Sequence, residues 1–402
     1  MTDPLNNVTS YTYNSLNLVA TVTDPRNNVT TYTYDTKGNL LTVTAGGAVT
    51  TFQYDTKGNV TSITDALNRT TVLAYDTHNN LTRITDPLSN QTTFTYDTAG
   101  NRLTMTDPLG QSATYTYDMN GNILTKTKAD GHTITYTYDA DNRLTQKQYS
   151  DQSITQYQYD ANGNMTYAGN ADIAYNFAYD AMNRITGITD SNSRTIQYQY
   201  DLLGNRTTMI TPESRTITYA YDANRRLTGI TANSSTFGLS YDNDGRRATL
   251  TYPNNTTASY TYDNNGNLTR IRHTGQSTVA EANYTYDNVN NRLTKTDTQK
   301  TAACTYDLVY RLLQSALTDN SIPPNPLPGG EVYTYNGVGN RLTGPTGTDT
   351  LGYDNANQLL NLNSTTYTYD LNGNMIQKVD GSTTTTYTYD DENRKGDVSV
   401  YR

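Results

Sequence analysis

Along most of the chain, polar and apolar residues alternate with a period of two. Between Thr92 and Asp118, Phe94 and Tyr96 alternate with Thr93 and Thr95, and Leu103 and Met105 alternate with Thr104 and Thr106. Tyr115 and Tyr117 then alternate with Thr114 and Thr116. Period two is the signature of a β-strand, with successive side chains on opposite faces. The stretch therefore predicts two short antiparallel strands and two tight turns, with Tyr, Phe, Leu and Met on one face and Thr on the other. No apolar pattern of period 3.6 lasts more than a turn, so no helix is predicted.

This unit repeats. Tyr-Asp occurs seventeen times from Tyr34 to Tyr389, mostly every 20 or 21 residues, and the variants Tyr13-Asn14 and Tyr335-Asn336 fill gaps in the series. A fixed period of this size marks a repeat architecture. The expected fold class is all-β: tandem hairpins of about 21 residues in an antiparallel strip, curling into a spiral, partial barrel or shell. One array is expected over 1–394, with a divergent end at 395–402, where Lys395-Gly396-Asp397 replaces the Leu-Thr strand. A Pro-rich insertion at 321–330 reads as an exposed loop, because proline cannot donate to a ladder.

The turn residues agree with this pattern. The first turn, after Tyr-Asp, closes with Gly-Asn at Gly38, Gly100, Gly204 and elsewhere, and glycine accepts the positive φ such a turn needs. A form without glycine, as at Asp139-Ala140-Asp141-Asn142-Arg143, reads as a shorter turn. The second turn often carries Asp-Pro, at Asp3, Asp24, Asp86 and Asp107. There proline presets φ and the Asp side chain bonds the backbone ahead of it. The Asp after Tyr is expected to do the same.

About eighteen units give roughly thirty-six strands, or roughly 170 Å of sheet. Twist must curl such a strip, and the Tyr face is expected to need a cover. A shell around a domain about 30 Å across has a midline circumference on the order of 130–160 Å. The strip is then expected to make about one turn and leave the shell incomplete, as a segment of a longer protein or a truncated product. Thr2-Asp3-Pro4, which matches the second turn of a unit, gives the same expectation.

The unit Tyr-x-Tyr-Asp-x-x-Gly-Asn-Arg-Leu-Thr, well preserved at Tyr115–Thr125 and Tyr198–Thr208, resembles the Rhs/YD repeat. The resemblance runs from about residue 2 to residue 394. It implies a long strip spiralling into a hollow shell. Such shells enclose a toxic domain in bacterial polymorphic toxins and insecticidal toxin complexes, and a related barrel in teneurins takes part in adhesion. The segment that precedes self-cleavage and the toxin in toxin members is not recognisable here, so no aspartate is given that role.

Composition adds limits. Only 34% of residues are hydrophobic, but 37 Tyr replace the missing aliphatics, and a net charge of −9 opposes a nucleic-acid partner. No run of 18 apolar residues suggests a membrane span, and the opening Met1-Thr2-Asp3-Pro4-Leu5, without a basic region or apolar core, is not expected to be a signal peptide in this piece. The lone cysteine, Cys304, excludes an internal disulfide framework and reads as a small buried side chain. His78, His132 and His273 are too far apart to suggest a metal or catalytic cluster. No catalytic, cofactor or metal residue is nominated, no cofactor is expected, and the chain reads as no enzyme. Asn-x-Thr sequons such as Asn59, Asn80 and Asn267 arise from the repeat itself. The tyrosines are expected to pair across strands with Tyr and Leu. Arg102 and Arg206 are expected to cover tyrosine rings.

Two functions follow. One is a structural array, part of a shell around a toxin or effector cargo in a secreted or surface protein. Its partners are that cargo or further repeat segments. The other is a surface recognition module that binds glycans or a partner protein through its Tyr rows.

Overall fold

A computed structural model describes residues 1–401 except 276–277, 321–324, 327–329 and 346. It is all-β. Successive strands from Ser10–Tyr13 to Leu312–Asp319 pair antiparallel with one another, giving a single meander. A 32-stranded sheet ends at Glu331–Val332, and a 6-stranded sheet runs from Leu351–Tyr353 to Lys395–Tyr401. The expected loop at 321–330 lies largely outside the described residues. Of it, Asn325 and Pro326 pair with Asp319 and Thr318. The break at Lys395-Gly396-Asp397 does not stop the ladder. Val398 and Val400 restore the alternation opposite Tyr387 and Thr385.

Within a unit the alternation places side chains as the sequence implies. Met105 lies opposite Ala113 and Phe94, and Thr104 opposite Thr114 and Thr95. Threonine hydroxyls bond across the Thr face, as in Thr95–Thr104 at 2.7 Å and Thr116–Thr125 at 2.6 Å. One register shift recurs before each Tyr-Asp. Tyr117 pairs with Ile123 while Thr116 pairs with Thr125, which leaves a bulge at the start of the second strand.

Because hairpins follow one another, all first turns lie along one edge of the strip and all second turns along the other. The strip coils so that these edges meet. Arg26, in a second turn, donates to the Asp287 carbonyl at 2.6 Å and to Asn290 Oδ1 at 2.8 Å, 261 and 264 residues away. Ser150 N–H donates to Asp391 Oδ2 at 2.8 Å, 241 residues away, and Tyr310 Oη to the Ala45 carbonyl at 3.4 Å, 265 residues away. In each contact the earlier coil supplies a second turn and the later coil a first turn. One coil is therefore roughly two dozen strands, about 115 Å around and about 37 Å across at mid-sheet. The 402 residues make more than one and a half turns, not the single turn expected. The expectation assumed a wider cavity than the curvature gives.

The wall is one layer thick. The chain exposes 23442 Å², against about 16,000 Å² for a compact protein of its mass. Six apolar residues are buried among those described: Ala48, Ile134, Tyr149, Ala258, Cys304 and Leu351. The expected cover over the Tyr face is absent among the described residues. Most tyrosines are half-buried by their lateral neighbours instead.

Candidate functional site

Among the described residues no group of three or more His, Cys, Asp or Glu is placed to hold a metal ion. The repeated chemistry lies in the turns, on the Tyr face and at the seam between coils.

In the first turn, Asp97 Oδ1 accepts the N–H groups of Ala99 and Asn101 at 2.9 and 2.8 Å, and its Oδ2 accepts Asn101 Nδ2 at 2.9 Å. Gly100, at φ +87°, takes the left-handed position that closes the turn. The Asn101 side chain, then its backbone N–H, holds the Asp97 carboxyl below its ordinary value of 3.8. The form without glycine is not shorter, as expected, but equal in length. Asn142 supplies the positive φ at 61°, and Arg143 Nε replaces the asparagine amide on Asp139 Oδ2 at 2.7 Å. Second turns use the same lock, as Asp107 does with the N–H groups of Leu109 and Gln111. Sequon asparagines such as Asn59 and Asn80 are held in these turns.

The tyrosine of Tyr-Asp has a separate partner. Tyr117 Oη donates to the carbonyl of Arg102 at 2.8 Å. That carbonyl belongs to the bulge of the preceding unit, which the ladder leaves free. Among the described residues, sixteen such bonds link successive units. This explains why the position holds Tyr and not Phe. Of the expected cross-strand pairs, Tyr–Leu forms, as in Tyr34–Leu40 and Tyr138–Leu144, but Tyr–Tyr does not among the described residues. Tyr115 faces Lys126, Tyr198 faces Met209 and Tyr219 faces Ile230. Arginines cover the rings instead: Arg102 lies 4.9 Å from the Tyr115 centroid, and Arg206 lies 5.5 and 4.6 Å from Tyr198 and Tyr219.

At the seam, the last first turn reaches between two second turns of the earlier coil. Asp391 Oδ1 lies 2.8 Å from His132 Nδ1 and 3.9 Å from Lys128 Nζ, and Glu392 Oε1 accepts Lys147 Nζ at 2.6 Å. Asn372 donates to Asp130 beside them. Lys128 is 6% exposed and Tyr149 7% exposed under this cover. A cavity of about 490 Å³ follows the seam, between Asp86, Asp107 and Lys128 on one side and Leu371, Asn372 and Asn393 on the other. Of the remaining candidates, Cys304 is buried, His78 sits in an exposed turn and His273 stacks on Tyr252.

Residues 13–48, 34–70, 75–112, 97–133, 117–154, 138–172, 179–216 and 241–279 match the RHS repeat family, and together they cover more than half of the chain. The chain belongs to the RHS repeat family. This RHS array is similar in fold to the TcdB2-TccC3 complex, at TM-score 0.80 and 15% identity over 98% of this chain and 26% of that one. It is likewise similar to TcdB2-TccC3-Cdc42, at TM-score 0.78, 14% identity and the same coverage. A third likeness is to the Tc holotoxin pore of Photorhabdus luminescens, at TM-score 0.79 and 14% identity over 96% and 25%. The RHS array thus spans about a quarter of the length of those chains. No curated protein matches it.

Proposed function

We propose that this array is a segment of the wall of a shell that encloses a polypeptide cargo in a secreted or surface protein. The observation that supports this most is the seam. A strip that bonds its own trailing edge to its leading edge makes a closed wall, and a single-layer wall leaves space inside. The likeness to toxin-complex structures supports the same reading. The role is structural, with no catalytic step of its own. A coil about 37 Å across, less about 5 Å of side chain on each side, leaves about 27 Å inside. A folded domain of about 100 residues has a radius of gyration of about 13 Å, hence is about 34 Å across as a sphere, and does not fit. At this radius the cargo is small or extended.

Protease protection tests the proposal. A reporter peptide fused after Arg402 of the full chain should be cut more slowly than the free peptide. Weakening the seam with Asp391→Ala and Glu392→Ala should abolish the difference. Equal cleavage of fused and free peptide would overturn the reading.

One observation favours recognition as a second reading. Phe237, Tyr252 and His273 form an aromatic patch on the second-turn edge, around an open cavity of about 500 Å³. Flat aromatic rings with a polar rim suit a sugar. A glycan array on the full chain and on Tyr252→Ala checks this, and no binding sinks it.

A further inference from the structure

Two groups of arginines recur in the units. Those ending a first turn pair with the Asp of the same turn, as in Arg143–Asp139, Arg184–Asp180 and Arg226–Asp222, at 2.7 Å each. Those at the start of the second strand do not. Arg102, Arg206 and Arg247 lie cross-strand from Tyr96, Tyr200 and Tyr241, and so on the Tyr face. Each lies over a tyrosine ring, Arg247 at 4.6 Å from the Tyr260 centroid. None has a carboxylate partner among the described residues. The Nε atoms of Arg102 and Arg206 are buried without a partner. Lys126, opposite Tyr115, adds an unpaired charge to the same face. The carboxylates of the units lie mainly in the turns along both edges. A chain of net charge −9 therefore carries a band of unneutralised cations down the middle of its Tyr face.

We propose that this band binds an acidic polypeptide in extended form. A guanidinium over a ring face still has N–H groups directed away from the ring, which can grip a carboxylate. Successive units are about 10 Å apart, or about three residues of extended chain. Arg206 and Arg247 stand two units apart, so a carboxylate at about every sixth residue meets them in turn. Between the cations, Met209, Ile230 and Leu250 offer apolar contact to the residues in between. A nucleic acid carries denser charge past the aspartates of both edges and has no apolar side chains to match these residues. The inference rests on the reading of the array as a holder of polypeptide, and names the chemistry of what it holds.

Fluorescence anisotropy of labelled poly-L-glutamate with the full chain tests it. Binding should weaken with salt and fall about tenfold in the triple variant Arg102→Gln, Arg206→Gln, Arg247→Gln. Lys37→Gln with Lys57→Gln, on the free turn edge, should leave it unchanged. Unaltered binding by the triple variant overturns the proposal. So does binding of poly-L-lysine, or of an oligothymidylate of equal charge, as tight as that of polyglutamate. If circular dichroism shows the triple variant unfolded, Arg206→Gln and Arg247→Gln must each weaken binding about twofold, and no loss in either overturns it. Peptide binding without protease protection would sink the shell reading alone. Protection without peptide binding would sink this proposal alone.

Discussion

The Tyr117 hydroxyl closes the bulge of the preceding unit by donating to the Arg102 carbonyl at 2.8 Å. Tyr117→Phe keeps the ring and leaves that carbonyl without its donor. The expected cost is about 1 kcal/mol, read from urea unfolding. Tyr75 is the control, because no such bond ties its hydroxyl to the preceding unit, and Tyr75→Phe should be nearly neutral. An equal effect at both positions would contradict the assignment.

The coil pitch can be tested by a pair of residues far apart in sequence. Gly46 has φ +55°, and a Cβ there would stand 2.6 Å from Val289 Cγ1 on the next coil. Gly47, at φ +85°, has nothing within 4 Å. Both alanine variants incur backbone strain of about 1–2 kcal/mol. Gly46→Ala should cost a further 1 kcal/mol or so through overpacking. Adding Val289→Ala should recover that extra part, but not for Gly47→Ala. A double-mutant cycle with no coupling would place the two coils elsewhere.

The seam cluster makes a third prediction. Asp391→Ala leaves the buried Lys128 ammonium with a weaker set of partners and should cost about 2 kcal/mol. Lys128→Met with Asp391→Ala should recover part of that loss, because no buried charge is then left behind. Thermal and urea midpoints of the four proteins give the coupling.

Stability should form a plateau bounded by acid and by alkali. The carboxyls of Asp97, Asp118 and Asp201 are held below their ordinary 3.8, first by the asparagine side chain four residues on. Their contribution is complete above 3.8 and is lost as pH falls through the lowered folded values. Burial raises the Tyr117, Tyr138 and Tyr221 hydroxyls above their ordinary 10.0. Folding then favours the protonated phenol, so stability holds below 10.0 and falls as pH rises beyond it. Urea midpoints across pH, with tyrosinate absorbance followed at the alkaline end, check both limits. A midpoint that stays flat past 10.0 would refute the burial of these phenols.

The hairpin unit, the composition of its two faces and the role of the turn aspartates were all legible in the sequence, because period two and turn residues are local properties. The partner of Tyr117 was not, since it depends on a bulge that moves the Arg102 carbonyl out of the ladder, and nothing in the Tyr-x-Tyr-Asp spacing encodes that shift. The equal turn at Asp139–Arg143 was misread because arginine and asparagine look dissimilar in sequence but present the same N–H to Oδ2. Arg102 and Arg143 look alike in sequence, yet one faces a ring and the other a carboxylate. The contact of Asp391 with His132 depends on curvature, which accumulates over two dozen strands and has no local signature.

The seam joins unlike edges, second turns below and first turns above, and each coil offers the next the kind of rim on which it rests. Duplication of one unit lengthens the rim by about 10 Å and moves each later turn one notch along it. Asp391 would then face a neighbour's turn instead of that of Lys128. The wall can therefore lengthen by tandem duplication without evolving a new joint. Contacts such as Asp391 with Lys128 belong to a particular copy number, whereas the bond from Tyr117 to Arg102 survives every such change.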